Sequence, residues 1–596
     1  MGLSLLSCSE NDEYVSPLQS VNIENIHFQS LADTSFIIVE KIDNSNFIAE
    51  SSESWCSVKL GYNRIEVSVL PNISIHDRTA QIRIIDKSDG TSLEFKAIQD
   101  LDLKTVGNSI ITESLVLVCN DNSNFRPFLV SNNEIHVHIP KNINLDSIGI
   151  RFEKPEGIVF VDGNILDKTV DTIFSCSDFK KPHVIRLYTS DGVDNIWNLL
   201  IYDIPVVAIN TPDNKPIVSK IDRVEGCEVS LIDEKGIMGR LGTAGIRGRG
   251  GSSWAMDKKP YNIKLDKKHE LLGMKASKHW ILLANCYLDR TQLRNSVAFE
   301  MARLTDFPWV QSGQFVELVL NGTHQGLYYL CEKIRVEKGK IDIVEMNPSD
   351  ISGEELTGGY LLESTMEDGY LRTDYFNKTG GRFAYDLAWE LKSPEDNVPT
   401  EQYEYIKSAL NHLEMLIWNE DSLRKGTYRD FLDIETAINW WLVEEAAANE
   451  EASRTKNFYL YKDRGGKFKV GPPWDFDAYS FGTGGLNCFH CSKAAFYFRN
   501  LFKDNSFVDR VKEKWMKYYE TWLNAIPAFI DKQYLWIKNS ASRNEVLWPD
   551  YNPHPIYGEE TYKESIEHMK YCLVEQLEWM DNSIKNNYFE DGYGTK

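Results

Sequence analysis

Asp475 and Asp477 stand one residue apart in Gly471-Pro472-Pro473-Trp474-Asp475-Phe476-Asp477. On an extended backbone both carboxylates would leave the chain on one face, where a hard divalent cation can sit between them. A cation flanked by oxygen ligands is what phosphoryl transfer requires, because that reaction is mostly positioning and charge neutralisation. An acidic surface turn has the same composition, so the pair takes its meaning from its surroundings. Upstream, Phe458-Tyr459-Leu460-Tyr461, a Gly465-Gly466 turn and Lys467-Phe468-Lys469-Val470 read as a hairpin. Pro473, with no amide hydrogen to give a ladder, ends it. Asn449-Glu450-Glu451, leading on to Asn457, reads as the end of the preceding helix.

Phosphate chemistry also needs positive charge and donors. Gly242 to Trp254 reads as a glycine-dense loop in which Gly248, Gly250 and Gly251 alternate with Arg247 and Arg249. Glycines let backbone N–H groups approach an anion closely, although the run is neither a Walker A loop nor a clean G-x-G-x-x-G. The next stretch, Lys258 to Leu265, reads as a strand with Tyr261, Ile263 and Leu265 on one face and Lys264 on the other. Lys264 is either a phosphate-pairing lysine or a solvated one. Asp289-Arg290-Thr291-Gln292 reads as a helix start with Asp289 as its cap, followed by an apolar stripe of Leu293, Val297, Ala298, Met301 and Leu304. Glu300 lies at the edge of that stripe, free to pair with a strand lysine or to stay in solvent. Phe315–Leu320 and Gln325–Leu330 around Asn321-Gly322 form a two-residue hairpin signal, and Gly358 to Glu363 is a further strand.

The whole chain of 596 residues predicts about three or four domains. A net charge of −23 argues against nucleic acid as a partner, since a phosphate backbone wants a basic stripe. An anionic ligand must therefore be met by a local basic or metal-centred site. No apolar run is long enough for a helical membrane span. The ten cysteines are scattered apart from Cys488-Phe489-His490-Cys491, which lacks a second CxxC. That pair reads as a local disulfide or two thiols ahead of a metal site.

At the amino terminus, Leu5-Leu6-Ser7-Cys8 resembles a bacterial lipobox, and the acidic run after it resembles the export signal of Bacteroidetes surface lipoproteins. The expectation is an outer-membrane or cell-surface lipoprotein, alternatively a periplasmic protein, touching the membrane only through a lipid on Cys8. Short alternating runs such as Ser35–Val39, Arg64–Val69 and Ala80–Ile85 follow at the spacing of a β-sandwich. Trp55-Cys56, Val67-x-Val69, Asn72, Arg78-x-Ala80 and Ile98-Gln99 resemble a BACON domain, whose expected role is a spacer or a glycan holder. Leu115–Val118, Glu134–Ile139, Val184–Tyr188 and Asn198–Tyr202, with an Asp191-Gly192 turn, read as a second, immunoglobulin-like sandwich. At the other end, Phe507–Leu523 and Tyr562–Met580 read as amphipathic helices with Trp515, Tyr518, Tyr519 and Trp522 as core, and Asp550–Tyr557 as a loop.

In order along the chain, RGRGGSSW, KKPYNIKLDKK, LLGM, LDRTQLRN, FVELVLNG, QGLYYL, GGYLLE and GPPWDFD resemble the spore-coat protein H (CotH) kinase family. The resemblance runs from about Val207 to Phe481, with a helical tail to about Asn587. It implies an atypical protein-kinase-like fold that transfers phosphate from ATP to protein serine or threonine with Mg²⁺ or Mn²⁺. Asp475 would then be the metal-binding aspartate, with Asp477 and Asn457 beside it. Lys264 or Lys333 would be the nucleotide-phosphate lysine, with Arg247, Gly248, Gly250, Gly251 and Glu300 on the nucleotide side. Glu451 falls where the family often carries an aspartate, and so becomes the candidate base. Its carboxylate sits one methylene further out, and a misplacement of about 1 Å costs roughly 10²-fold in rate.

The expected architecture is multidomain: two all-β immunoglobulin-like sandwiches, then an α+β atypical kinase-like domain with a helical C-terminal part. Residues 1–22 are the lipoprotein signal remnant and acidic linker, 23–101 the BACON-like sandwich, 102–204 the second sandwich, 205–587 the kinase-like domain and 588–596 a tail. A monomer acting on a protein substrate is expected, and the alternative is a kinase-like scaffold that has lost its chemistry.

Overall fold

A computed structural model describes residues 15–589 except 31, 71, 73–76, 101–102, 120, 122, 144–147, 154–156, 167–181, 190–192, 286–287, 366–368, 375–387, 396, 455–456, 492–497 and 550–560. The lipobox at Cys8, the Asp191-Gly192 turn and the Asp550–Tyr557 loop lie outside the described residues. Two compact units result, the first reaching Val137 and closing at Ile201, the second holding His138–Ile143 and the chain from Tyr202 onward.

In the first unit, Ile26–Phe28, Ser92–Gln99, Arg78–Asp86 and Phe47–Ser51 form one sheet in that order, and Asp33–Ile38, Arg64–Val69 and Cys56–Gly61 another. Period-two alternation drives them together: Ile65, Val67, Ile82, Ile84 and Phe95 all enter one buried core. A six-stranded and a three-stranded sheet follow, with Trp197 buried on the strand Asp194–Tyr202. The helix Leu103–Ser114 was not expected from the sequence pattern.

The second unit opens with a closed seven-stranded barrel. Its strands run, in order round the wall, Val206–Asn210, Val224–Ile232, Met238–Gly248, Tyr261–Leu271, Met274–Leu283, Thr323–Glu332 and Gly313–Leu320. Alternation sorts each strand between two cores. Tyr261, Ile263, Leu265, Trp280, Leu282, Val316, Leu318, Tyr328 and Leu330 fill the inside, whereas Ile281, Leu283, Phe315, Tyr329 and Cys331 face the core shared with the helices. Lys264 is exposed on the outer face, opposite Ile263 and Leu265 as expected. The Asn321-Gly322 hairpin has φ of +51° and +73°, the left-handed pair a two-residue turn of this kind requires. Beyond the barrel, Ala388–Ser393, Tyr360–Thr365, Tyr459–Lys462 and Phe468–Val470 make a four-stranded sheet, with Leu460 paired to Val470 across the Gly465-Gly466 turn.

Three local readings need correction. The glycine-dense run is strand as far as Gly248, where Arg247 pairs with Asn262 and Gly248 with Tyr261; the loop is confined to Arg249–Gly251. The helix opens at Arg294 rather than Asp289, because Gln292 takes φ of +61° and breaks the helical path. Asp289 still serves that helix end, its Oδ2 accepting from the Arg294 amide at 3.1 Å. Finally, Asn505–Leu547 is one helix that carries on through Pro527, with Asp504 accepting from the Ser506 amide at its start. Trp515, Tyr518 and Trp522 are buried on it, as core.

That long helix is tied to the barrel by a buried ion pair. Arg543 Nη2 reaches Glu317 Oε1 at 2.6 Å, and His324 Nε2 lies 2.8 Å from Glu317 Oε2. One residue along, Asn544 Oδ1 accepts from the Leu327 amide at 3.2 Å. Burial alone would raise the Glu317 carboxyl, but Arg543 and His324 outweigh it and hold it down to about 2. Removing one partner strands the other charge in the interior, so Arg543→Ala should cost about 3–5 kcal/mol in urea unfolding followed by tryptophan fluorescence. Glu317 binds its proton more weakly folded than unfolded. Its contribution is therefore present above its ordinary range and lost as pH falls towards about 2. A Glu317→Gln variant should lack that part of the acid slope.

Candidate active site

The acidic segment is held from behind by the helix Arg294–Arg303. Phe299, on that helix, stacks on Trp474 with ring centres 5.7 Å apart and meets Phe476 edge-on at 6.3 Å. Asn295, one turn earlier, accepts the Phe476 amide hydrogen at 2.9 Å, and Gln311 donates to the Pro473 carbonyl at 2.8 Å. Trp474 and Phe476 are buried, while Asp475 and Asp477 remain half-buried.

The backbone here is not extended, contrary to the simplest reading of the spacing: Asp475 has φ of +73°. The two carboxyl groups act on each other all the same, and Asn457 Nδ2 donates to Asp475 Oδ2 at 2.6 Å. Asp477 is pushed well above the usual carboxylate range, first by burial and then by the charges of Asp475, Asp289 and Glu451. Asp475 is raised as well, by burial and by Glu363, against the pull of Arg249 and its hydrogen bonds. Carboxylates crowded in this way hold a proton unless a cation replaces it. No group of three or more His, Cys, Asp or Glu side chains among the described residues makes a closed metal site. The donor set fits an open one: Mg²⁺ is commonly held by one or two carboxylates and completed by water and phosphate oxygens.

Glu451 lies on the short turn Glu450–Arg454, its amide donating to Asn449 Oδ1 at 3.2 Å. Asn449 in turn donates to the buried Glu444 at 2.8 Å. Glu451 acts on Asp477 and Asn457 bonds Asp475, so the four side chains lie in one place.

The basic side is more selective. Lys333 is half-buried, and burial draws its ammonium down to about 8, with Lys392, Arg247 and Arg335 repelling it and Glu395 opposing them. Arg247 Nε and Arg335 Nε are buried donors with no acceptor. Unspent donors around a lysine suit an anion that the chain itself does not supply. Lys264 is exposed, so of the two lysines Lys333 is the one enclosed by these groups. Glu300 does not pair with a strand lysine; it bonds Arg303 on its own helix at 2.7 Å, the neighbour three residues on. Nor does Gly248 offer its N–H to a ligand, since it donates to the Ser219 carbonyl at 2.8 Å. What Gly248 does is leave room for the Trp254 ring, which a Cβ would strike. Gly250, at φ of +88°, turns the chain in the loop it shares with Gly251.

Lys392 and Glu363 escaped the sequence reading as site residues, and Arg249 was read only as charge in the glycine run. Lys392 bridges Glu363 at 3.3 Å and Glu390 at 2.9 Å, which places a charged pair beside both Asp475 and Lys333. Arg249 lies over the Trp474 ring at 5.4 Å and acts on Asp475. Glu363 closes a motif and could have been singled out; Lys392 sits on a strand the pattern did not reveal. Asn295→Ala should leave the buried Phe476 amide unsatisfied, a cost of about 1–3 kcal/mol. Hydrogen exchange should show that amide opening faster than in the unaltered protein.

A family model described as CotH kinase protein matches residues 246–580, which takes in Arg247 through the helix Tyr562–Lys585 almost whole. No curated protein matches the chain. Among solved structures, a Bacteroides ovatus GH5 xyloglucanase in complex with a XXXG heptasaccharide is 18% identical over 17% of this chain and 28% of that chain, at a TM-score of 0.12. A Bacteroides thetaiotaomicron protein solved by NMR is 16% identical over 16% of this chain and 97% of that chain, also at 0.12. Likeness at that level carries no argument about fold or function. The family match covers more than half of the sequence, and the chain belongs to the CotH kinase protein family.

Proposed function

We propose that this chain, with an atypical kinase-like fold, moves the γ-phosphate of ATP to a serine or threonine hydroxyl of a protein, with Mg²⁺ or Mn²⁺. One observation carries the reading: the crowded pair Asp475 and Asp477 is linked, through Glu363 and its ion pair with Lys392, to a cluster of cations that have unspent donors. Asp475 and Asp477, with Asn457 beside them, hold the cation. When bound, that cation neutralises charge on the phosphate oxygens. Lys333, Arg247 and Arg335 bind and orient the phosphates, and Arg249 balances the negative charge next to Asp475. Glu451, steadied through Asn449, accepts the proton of the acceptor hydroxyl. On the same reading the protein is a surface or outer-membrane lipoprotein anchored at Cys8, and the β-sheet unit is a spacer or glycan holder made of sandwiches, immunoglobulin-like in the second. A second reading, a kinase-like scaffold with weak chemistry, is favoured by glutamate at position 451.

Labelled ATP with Mg²⁺ or Mn²⁺ tests the two. Label should enter the unaltered protein or an added protein acceptor and be lost in Asp475→Ala. Glu451→Ala should fall by roughly 10²–10⁴-fold if Glu451 is the base. No transfer by any variant, together with no metal-dependent ATP binding by calorimetry, would leave the scaffold. Lys333 is charged below about 8 and neutral above it. ATP affinity should therefore weaken as pH rises through and beyond that value, and Lys333→Met should flatten the profile.

A further inference from the structure

Cys488-Phe489-His490-Cys491 has no place in the phosphotransfer scheme, yet hydrogen bonds join it to the turn that carries Glu451. Both cysteines are reduced thiols. The amides of His490 and Cys491 donate to the two carboxylate oxygens of Glu445, each at 2.6 Å. Glu445 is fully buried at the end of the helix Ile434–Ala446, and its neighbour Glu444 accepts from Asn449. Asn449 then holds the Glu451 amide. Gln576 pins the arrangement from the other side, donating to the carbonyls of Glu445 at 3.0 Å and of Cys488 at 3.1 Å.

The two thiols differ in a way that suits exchange. Cys488 is partly exposed, and its sulfur lies in hydrogen-bond contact with His490 Nε2 at 3.5 Å, an imidazole that burial holds below its ordinary range. Cys491 is buried; burial and the nearby Glu445 and Glu444 keep it protonated, and Cys488 is close enough to add to that effect. One accessible sulfur and one shielded sulfur separated by two residues make an attacking and a resolving thiol.

We propose that Cys488 and Cys491 form a reversible disulfide that draws the His490 and Cys491 amides away from Glu445 and so loosens the Asn449–Glu451 turn. The oxidant is a low-molecular-weight disulfide. Cys488 sulfur attacks it and forms a mixed disulfide while one thiol leaves with a proton. Cys491 sulfur then attacks Cys488 sulfur and releases the second thiol. Two protein thiols and one small disulfide become one protein disulfide and two small thiols, and two electrons pass to the small molecule. A disulfide holds its Cα atoms about 4.4–6.8 Å apart, so closing it constrains the segment whose His490 and Cys491 amides Glu445 now accepts.

The test uses the full chain in a graded series of reduced and oxidised glutathione, with peptide mass mapping of the cysteines. Hydrogen exchange at Glu451 is followed in the same samples. The expected result is a Cys488–Cys491 disulfide, faster exchange at Glu451, and reversal of both by dithiothreitol. Cys488→Ala should abolish both changes while keeping its fold by circular dichroism. A disulfide that leaves exchange at Glu451 unchanged overturns the proposal, as does Cys488 pairing with any cysteine other than Cys491 or the absence of any disulfide across the series. The activity arm rests on the phosphotransfer reading: transfer should fall by roughly tenfold or more in the oxidised protein. Exchange is read without catalysis, so an inactive protein would overturn the kinase reading and leave this one standing on its own result.

Discussion

The burial of Trp474 and Phe476 against Phe299 is the constraint on which the site depends. Two large rings on alternate positions go into the core, and the residues between and after them, Asp475 and Asp477, stay at its edge. The energy for crowding two carboxylates comes from apolar burial elsewhere, not from the carboxylates themselves. Asn295 and Gln311 then fix the backbone on which those rings ride, one at the Phe476 amide and the other at the Pro473 carbonyl. A site made of like charges needs such an external hold, since its own groups repel.

The same division of labour repeats across the second unit. The barrel sorts its strands between an inner core and an outer one, and the outer core is where the helices dock. The Glu317–Arg543–His324 cluster connects the long helix Asn505–Leu547 to the barrel wall with the Glu317–Arg543 charges out of water. Such pairs add little net stability over a well-packed apolar contact, but they penalise any other register of the helix, because a shifted helix would leave Glu317 uncompensated. The basic cluster around Lys333 is the reverse case. Its positive charges share few acceptors, and that imbalance marks it as a place for an anion from outside.

Much of this was legible in the alternation of apolar residues. Tyr261, Ile263 and Leu265 point into the barrel, Lys264 out of it, and the Asn321-Gly322 and Gly465-Gly466 turns fall where their φ values require. What alternation does not carry is closure. Nothing along the strand Val206–Asn210 says that it pairs with Val224–Ile232 on one side and, in parallel, with Gly313–Leu320 on the other. Local breaks are equally silent: Gln292 and Asp475 adopt positive φ, a conformation that their residue types do not announce.

By itself, the sequence determined which residues could do chemistry and in what order they come. The order of the motifs pointed to the family, type and spacing singled out Asp475 and Asp477, and the resemblance added Glu451 and Asn457 as candidates. Tertiary structure decided which charges share a space. It enclosed Lys333 among Arg247, Arg335 and Lys392, left Lys264 in solvent, and turned Glu300 to its own helix. It also brought Glu363 beside Asp475, and Lys392 onto Glu363, from strands distant in the chain. The reason is physical. Residue type and spacing set what a side chain can do, whereas electrostatics acts through space, and only the packing of strands and helices says which groups are neighbours.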